Sequence, residues 1–216
     1  MNLIIKICGI CSMRDATLSL AAGATHLGFI LAPQSPRCMQ PEEVRRITAA
    51  LPDGCTCVGV FVNTPADRVA ELMTFCGLGL AQLHGEESAA TARQLGSDRV
   101  WKMFSLRSED DLRIAADYPA AAIVADTATG GRRGGTGVVG DWTLAQALAR
   151  QVPVILAGGL RPDNVADAVA RVRPAGVDVS SGVEAEPRVK STEKVRAFLR
   201  HARQAGAELQ DAAESR

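Results

Sequence analysis

No charge of either sign predominates in this 216-residue chain: lysine and arginine total 24, and so do aspartate and glutamate. Without a net field, neither nucleic acid nor an anionic membrane is the expected partner; a small molecule is. No unbroken apolar run reaches the length of a membrane span, and the apolar start, MNLIIKICGI, already contains Lys6. The expected location is the cytoplasm. No cysteine follows Cys76, so a disulfide framework would leave most of the chain unstapled. Cys8, Cys11, Cys38, Cys55, Cys57 and Cys76 therefore read as free thiols. Linkers and low-complexity segments are also missing, and 47% hydrophobic residues suffice for one domain with one core.

What is present raises a question at once. KICGIC, residues 6 to 11, spaces Cys8 and Cys11 as a C-x-x-C pair where an apolar run turns polar. A redox dithiol, half of a metal site, or one working cysteine beside an ordinary neighbour would all fit that spacing. Zinc held by Cys8, Cys11, Cys55 and Cys57 fits poorly, because Cys57 opens the apolar run CVGVFV and reads as a small core thiol.

The wider pattern is periodic. Eight short apolar runs recur: LIIKI (3–7), HLGFIL (26–31), CVGVFV (57–62), LAQLH (80–84), VWKMF (100–104), AIVAD (122–126), VPVIL (152–156) and GVDVS (176–180). Between them apolar residues return every three or four positions, as at Val44, Ile47 and Leu51 or at Val69, Leu72 and Met73. Ser12, Thr64, Ser108 and Ser191 stand where helix N-caps belong. Strands apolar throughout, each followed by an amphipathic helix, predict a parallel sheet covered by helices. Eight such units match a single-domain α/β fold, the closed (β/α)8 TIM barrel, over residues 1–206; an open doubly wound sheet is the alternative. Residues 207–216 read as a frayed or disordered tail.

In such barrels the chemistry sits at the C-terminal ends of the strands and in the loops that follow. After the seventh strand comes AGGL, with Gly158 and Gly159; after the eighth comes SSGVE, with Ser180, Ser181 and Gly182. Small residues there let backbone N–H groups approach an anion, and these two loops commonly build a barrel's phosphate site. Glycine turns needed only for chain geometry are the competing reading. The loop after the sixth strand is glycine-rich, contains Gly135 within GGTG, and is long enough to close over a ligand.

Together, KICGI, GFI followed by SPR, VGVFVN, QLHGEE, AD followed by GGTG and DW, LAGGL-PDNV and GVDVSSGVE resemble the phosphoribosylanthranilate isomerase family of tryptophan biosynthesis. The likeness runs from residue 4 to about residue 184 in the order of the eight units. Two departures, Gly140 before the Asp-Trp pair and Cys38 after SPR, concern how the lid packs. The resemblance implies an Amadori rearrangement of the aldose N-(5-phosphoribosyl)anthranilate to the ketose 1-(2-carboxyphenylamino)-1-deoxyribulose 5-phosphate, in a monomer or homodimer. It also implies that no metal, nicotinamide or flavin is required, since the anthranilate nitrogen is the electron sink.

By similarity Cys8 is the base and Asp126 the acid, and these strand ends would face each other across the mouth. A thiol titrates near 8.5 and an aspartate near 4, so the site has to move them toward neutrality. Backbone N–H groups of the following helix would stabilise a Cys8 thiolate. Arg37 suits the anthranilate carboxylate, His84 contacts substrate or holds a loop, and Asp178 competes with Asp126 but is expected to order backbone amides. Two other functions stay open on the residues alone. One is the related aminoaldose isomerisation of histidine biosynthesis, which uses a carboxylate where this chain has Cys8; the other is a noncatalytic phosphosugar-binding module.

Overall fold

The structure is a computed structural model and is described for residues 3–127 and 142–214. Gly135 and the rest of the glycine-rich loop from residue 128 to 141 lie outside the described residues. Eight parallel strands close on themselves: β1 (Ile4–Cys8), β2 (His26–Ile30), β3 (Thr56–Phe61), β4 (Leu80–Leu83), β5 (Val100–Ser105), β6 (Ala122–Asp126), β7 (Val154–Ala157) and β8 (Gly176–Val179). Pairing of β1 with β8, with Lys6 opposite Asp178 and Ile7 opposite Val179, completes the barrel and excludes the open sheet.

The helices are α1 (Met13–Ala22), α2 (Pro41–Thr48), α3 (Ala66–Cys76), α4 (Ala89–Leu95), α5 (Glu109–Ala116), α6 (Thr143–Ala149), α7 (Val165–Val172) and α8 (Thr192–Glu214). Ser12 and Ser108 cap as expected, each accepting from the backbone N–H three residues on, at 3.1 Å from Asp15 and 3.2 Å from Asp111. At α3 the N-cap is Pro65 rather than Thr64: the fixed φ of proline starts the helix one residue later than the threonine suggests. Helix α8 runs on to Glu214, through the stretch that the sequence marks as a tail, while its buried stripe of Val195, Phe198, Leu199, Ala202 and Ala205 lies nearer its start.

Alternation along the strands divides the buried side chains into two sets. Outward-facing residues such as Phe29, Phe61 and Leu156 pack under the helices in one continuous core. Full burial of a phenylalanine side chain there contributes about 1.5–3 kcal/mol. The inward set fills the barrel itself: Val58, Trp101, Met103, Ala122, Val124 and Ile155 cluster together, and His26 stacks on Trp101 with ring centroids 5.3 Å apart. Above this layer the inward positions turn polar, and the barrel opens into a site. A small antiparallel hairpin, β9 (Glu184–Glu186) and β10 (Val189–Lys190), follows β8 and was not legible in the sequence pattern.

Candidate active site

Residues two apart on a strand share a face, so β1 sends both Lys6 and Cys8 into the barrel. Lys6 is completely buried, and its ammonium donates to Asp178 Oδ2 at 2.8 Å from the neighbouring strand β8. Gly28, paired with Cys8 on the other side, leaves the room this requires. A side chain at position 28 would put its Cβ 2.8 Å from Cys8 Sγ and 2.9 Å from Lys6 Cε. The Cys8 thiol and the lysine stem therefore occupy the space that a larger residue would fill.

Burial pushes the Cys8 thiol up, and the Lys6 charge works against that rise. The expectation that the following helix would stabilise a thiolate is corrected here. Ser12 caps the start of α1, and the cations that act on Cys8 are Lys6, Lys190 and Arg37. Asp178 does not order backbone amides either; it is the partner of Lys6, and its Oδ1 has no hydrogen-bond partner among the described residues.

A cavity of about 360 Å³ opens at the C-terminal ends of the strands. Cys8, Arg37, His84, Asp126, Gly158, Gly159, Ser180, Ser181 and Gly182 all line it, so the structure brings together every site residue read from the sequence that falls among the described residues. Gly158 and Gly159 adopt φ of 88° and 67°, a left-handed turn that favours glycine and presents main chain rather than side chain to the cavity. Ser181–Val183 forms a single 3-10 turn facing it from β8.

Arg37 is already held. Its Nε donates to Glu184 Oε1 at 2.7 Å and its Nη2 to Glu184 Oε2 at 2.6 Å. That side-on fork leaves the guanidinium's end edge, Nη1 with the second hydrogen of Nη2, as the edge available to a ligand carboxylate. Glu184 also accepts from Lys190 at 3.2 Å, and Lys190 donates to Ser180 O at 3.1 Å beneath the SSGVE loop. Burial alone would raise Glu184, but Arg37 and Lys190 together bring it below the usual carboxylate range. Arg188 donates to the carbonyls of Pro36 and Cys38 at 2.8 and 3.0 Å and ties the β9–β10 hairpin to the Arg37 loop. The charged side chains around the site that sequence reasoning missed are thus Glu184, Lys190 and Lys6. The one available signal was a lysine inside an otherwise apolar strand, two residues before Cys8.

His84 follows β4, and its Nδ1 lies 3.2 Å from Gln82 Nε2. With that amide donating, the neutral ring carries its proton on Nε2. Burial lowers the imidazole's pKa, which keeps it neutral and suits it to hydrogen bonding rather than proton release. Cys11 does not line the cavity; its thiol points to the carbonyls of Gly9 and Arg37 at 3.6 and 3.7 Å. Cys55 and Cys57 stand at the start of β3, the opposite end of the barrel from Cys8, so these cysteines form no common cluster.

The family model for N-(5'-phosphoribosyl)anthranilate (PRA) isomerase matches residues 5–201. The chain belongs to this family. It is 46% identical to the N-(5'-phosphoribosyl)anthranilate isomerase of Citrifermentans bemidjiense, a match covering 92% of this chain and 96% of that one. Among solved structures, phosphoribosyl anthranilate isomerase from Thermotoga maritima superposes with a TM-score of 0.88 at 36% identity, covering 94% of this chain and 99% of the other. A phosphoribosyl anthranilate isomerase in complex with reduced 1-(o-carboxyphenylamino)-1-deoxyribulose 5-phosphate superposes with a TM-score of 0.84 at 35% identity, covering 94% and 99%.

Proposed function

We propose that this chain converts N-(5'-phosphoribosyl)anthranilate to 1-(o-carboxyphenylamino)-1-deoxyribulose 5-phosphate, with Cys8 as general base and Asp126 as general acid. The observation that carries the reading is the placement of Cys8, Asp126 and both glycine-containing loops around one cavity. Asp126 gives a proton to the furanose ring oxygen, the C1–O bond breaks, and the anthranilate nitrogen forms a C=N bond to C1. Cys8 then takes the C2 proton, the C2–H electron pair becomes a C1=C2 bond, and the C=N electrons return to nitrogen. The resulting enolamine becomes the ketose when C1 is reprotonated and the C2 enol collapses to a carbonyl.

The rest of the cavity accounts for the ends of the substrate. Main-chain N–H groups at Gly158, Gly159, Ser181 and Gly182 receive the phosphate, as suits loops after the seventh and eighth strands. The end edge of Arg37 receives the anthranilate carboxylate, with Glu184 holding the guanidinium in orientation. His84 donates from Nε2 to a substrate oxygen. Gly135 belongs to the same proposal as a substrate-binding residue.

The test is loss of anthranilate-type fluorescence when the purified protein meets freshly made N-(5'-phosphoribosyl)anthranilate. Turnover to the ketose supports the reading. Calorimetric binding of the substrate without turnover would replace it with a phosphosugar-binding module.

A further inference from the structure

A buried ion pair directly beneath the reacting thiol requires a reason. Taking an ammonium out of water costs several kcal/mol even after relaxation, and an apolar pair of similar volume is often as stable or more so. The inward layer next to Lys6 is built from such residues, Val58, Val124 and Ile155 among them. Packing alone therefore gives no account of Lys6 opposite Asp178.

The geometry supplies one. Lys6 Cε and Cys8 Sγ each lie within 3 Å of the point that a Cβ at Gly28 would occupy, and the ammonium bound to Asp178 acts electrostatically on the thiol. An ammonium has three donors, so the bond to Asp178 leaves it others to turn toward a thiolate. We propose that Lys6 is a positioning residue of the isomerase reaction: Asp178 holds its ammonium beneath Cys8, where it stabilises the thiolate that accepts the C2 proton. In that step the C2–H bond breaks, an S–H bond forms on Cys8, and Lys6 keeps all its own protons.

The charges around Cys8 are consistent with this role. Lys6 on the same strand, Lys190 on β10 and Arg37 in the loop after β2 all act on it as cations. Asp178 on β8 opposes them, and Glu184 is bound to Arg37 and Lys190. His26 on β2 and His84 after β4, both lowered first by burial, remain neutral near pH 7. Three cations against two carboxylates leave one positive charge, which a Cys8 thiolate would balance. Asp126 lines the same cavity and is the proton donor of the proposed reaction.

This inference rests on Cys8 being the base, and its test is arranged to fail separately from that reading. The pH dependence of Cys8 carboxamidomethylation by iodoacetamide, followed by mass spectrometry of the Cys8 peptide, needs no substrate. Lys6→Met should move the Cys8 titration upward by about one unit or more, and Asp178→Asn should move it downward. A purely structural pair would leave the titration in place in both variants, and that result overturns the proposal. Because Lys6→Met strands a buried carboxylate, the double variant Lys6→Met with Asp178→Asn provides a neutral, similarly sized replacement. It should stay folded, titrate above wild type, and lose at least about tenfold in kcat with little change in KM. A folded double variant with wild-type Cys8 titration also refutes the role of Lys6. If the wild type shows no turnover, the isomerase reading fails while the titration still decides whether Lys6 acts on Cys8.

Discussion

Gly182→Ala tests the placement of the phosphate with the smallest available change. A methyl group at residue 182 would overlap the carbonyl oxygen of Leu160 and come within 3.2 Å of Val179 Cγ2. The obstacle is main chain on the loop after β7, not the end of a flexible side chain, so one of the two loops has to move. These are the loops proposed to supply the phosphate's N–H donors. A hydrogen bond to a charged group contributes about 1.5–3 kcal/mol, so losing one lowers kcat/KM by roughly 10- to 100-fold. Because the phosphate is bound equally in ground and transition states, most of the loss should appear in KM. The assay is the fluorescence decay over a range of substrate concentrations, paired with thermal denaturation. Gly54→Ala is the control: φ is +89° with nothing within 4 Å, so it should cost about 1–2 kcal/mol of stability and leave KM alone. If Gly182→Ala melts lower but keeps the wild-type KM, the phosphate is not held between these loops.

The remaining predictions concern single contacts. Arg37→Ala should cost about 2–4 kcal/mol in kcat/KM, and an analogue lacking the ring carboxylate should erase most of the difference from wild type. Glu184→Gln should raise KM by less, since the fork loosens while the guanidinium remains; a wild-type KM would show that Arg37 needs no holding. Cys11→Ser should keep near-normal turnover with or without reductant, and a loss equal to that of a Cys8 variant would restore the dithiol reading. His26, pushed down to about 4 by burial and then by Lys6, against Asp178, should be neutral when folded and take up a proton on unfolding below about pH 6.5. The unfolded chain binds more protons in that window, so stability is full above it and falls as pH drops from about 6.5 toward 4. Denaturant midpoints of His26→Gln should be flatter there by at most about 1.4 kcal/mol per pH unit; identical slopes in both proteins would contradict the burial argument.

The strands were legible because each is short and mostly apolar, with few polar residues on either face, a pattern with few other solutions in a repeating chain. The glycine pair of AGGL and the glycine of SSGVE were legible because barrel geometry fixes which loops can meet a ligand. The partners were not. Lys6 and Asp178 are 172 residues apart, and Arg37 and Glu184 are 147 apart, so no local period relates them. Arg37 reads from sequence as an open clamp for a carboxylate, whereas the fold has already committed one edge of it. Asp178 reads from sequence as a competitor of Asp126 that is expected to order backbone amides, and only closure of β8 against β1 reveals the lysine it faces. The N-cap at Pro65 shows the local limit: Thr64 has the right chemistry, but proline sets the backbone.

The central claim is that two groups of this cavity, Cys8 and Asp126, perform the proton transfers. Turnover of freshly made N-(5'-phosphoribosyl)anthranilate by wild type, Cys8→Ala and Asp126→Asn, measured in parallel, tests it most directly when calorimetry shows that each variant still binds reduced 1-(o-carboxyphenylamino)-1-deoxyribulose 5-phosphate. The account predicts that both variants bind and that each loses at least about 100-fold in turnover. Either variant turning over substrate at close to the wild-type rate would contradict it.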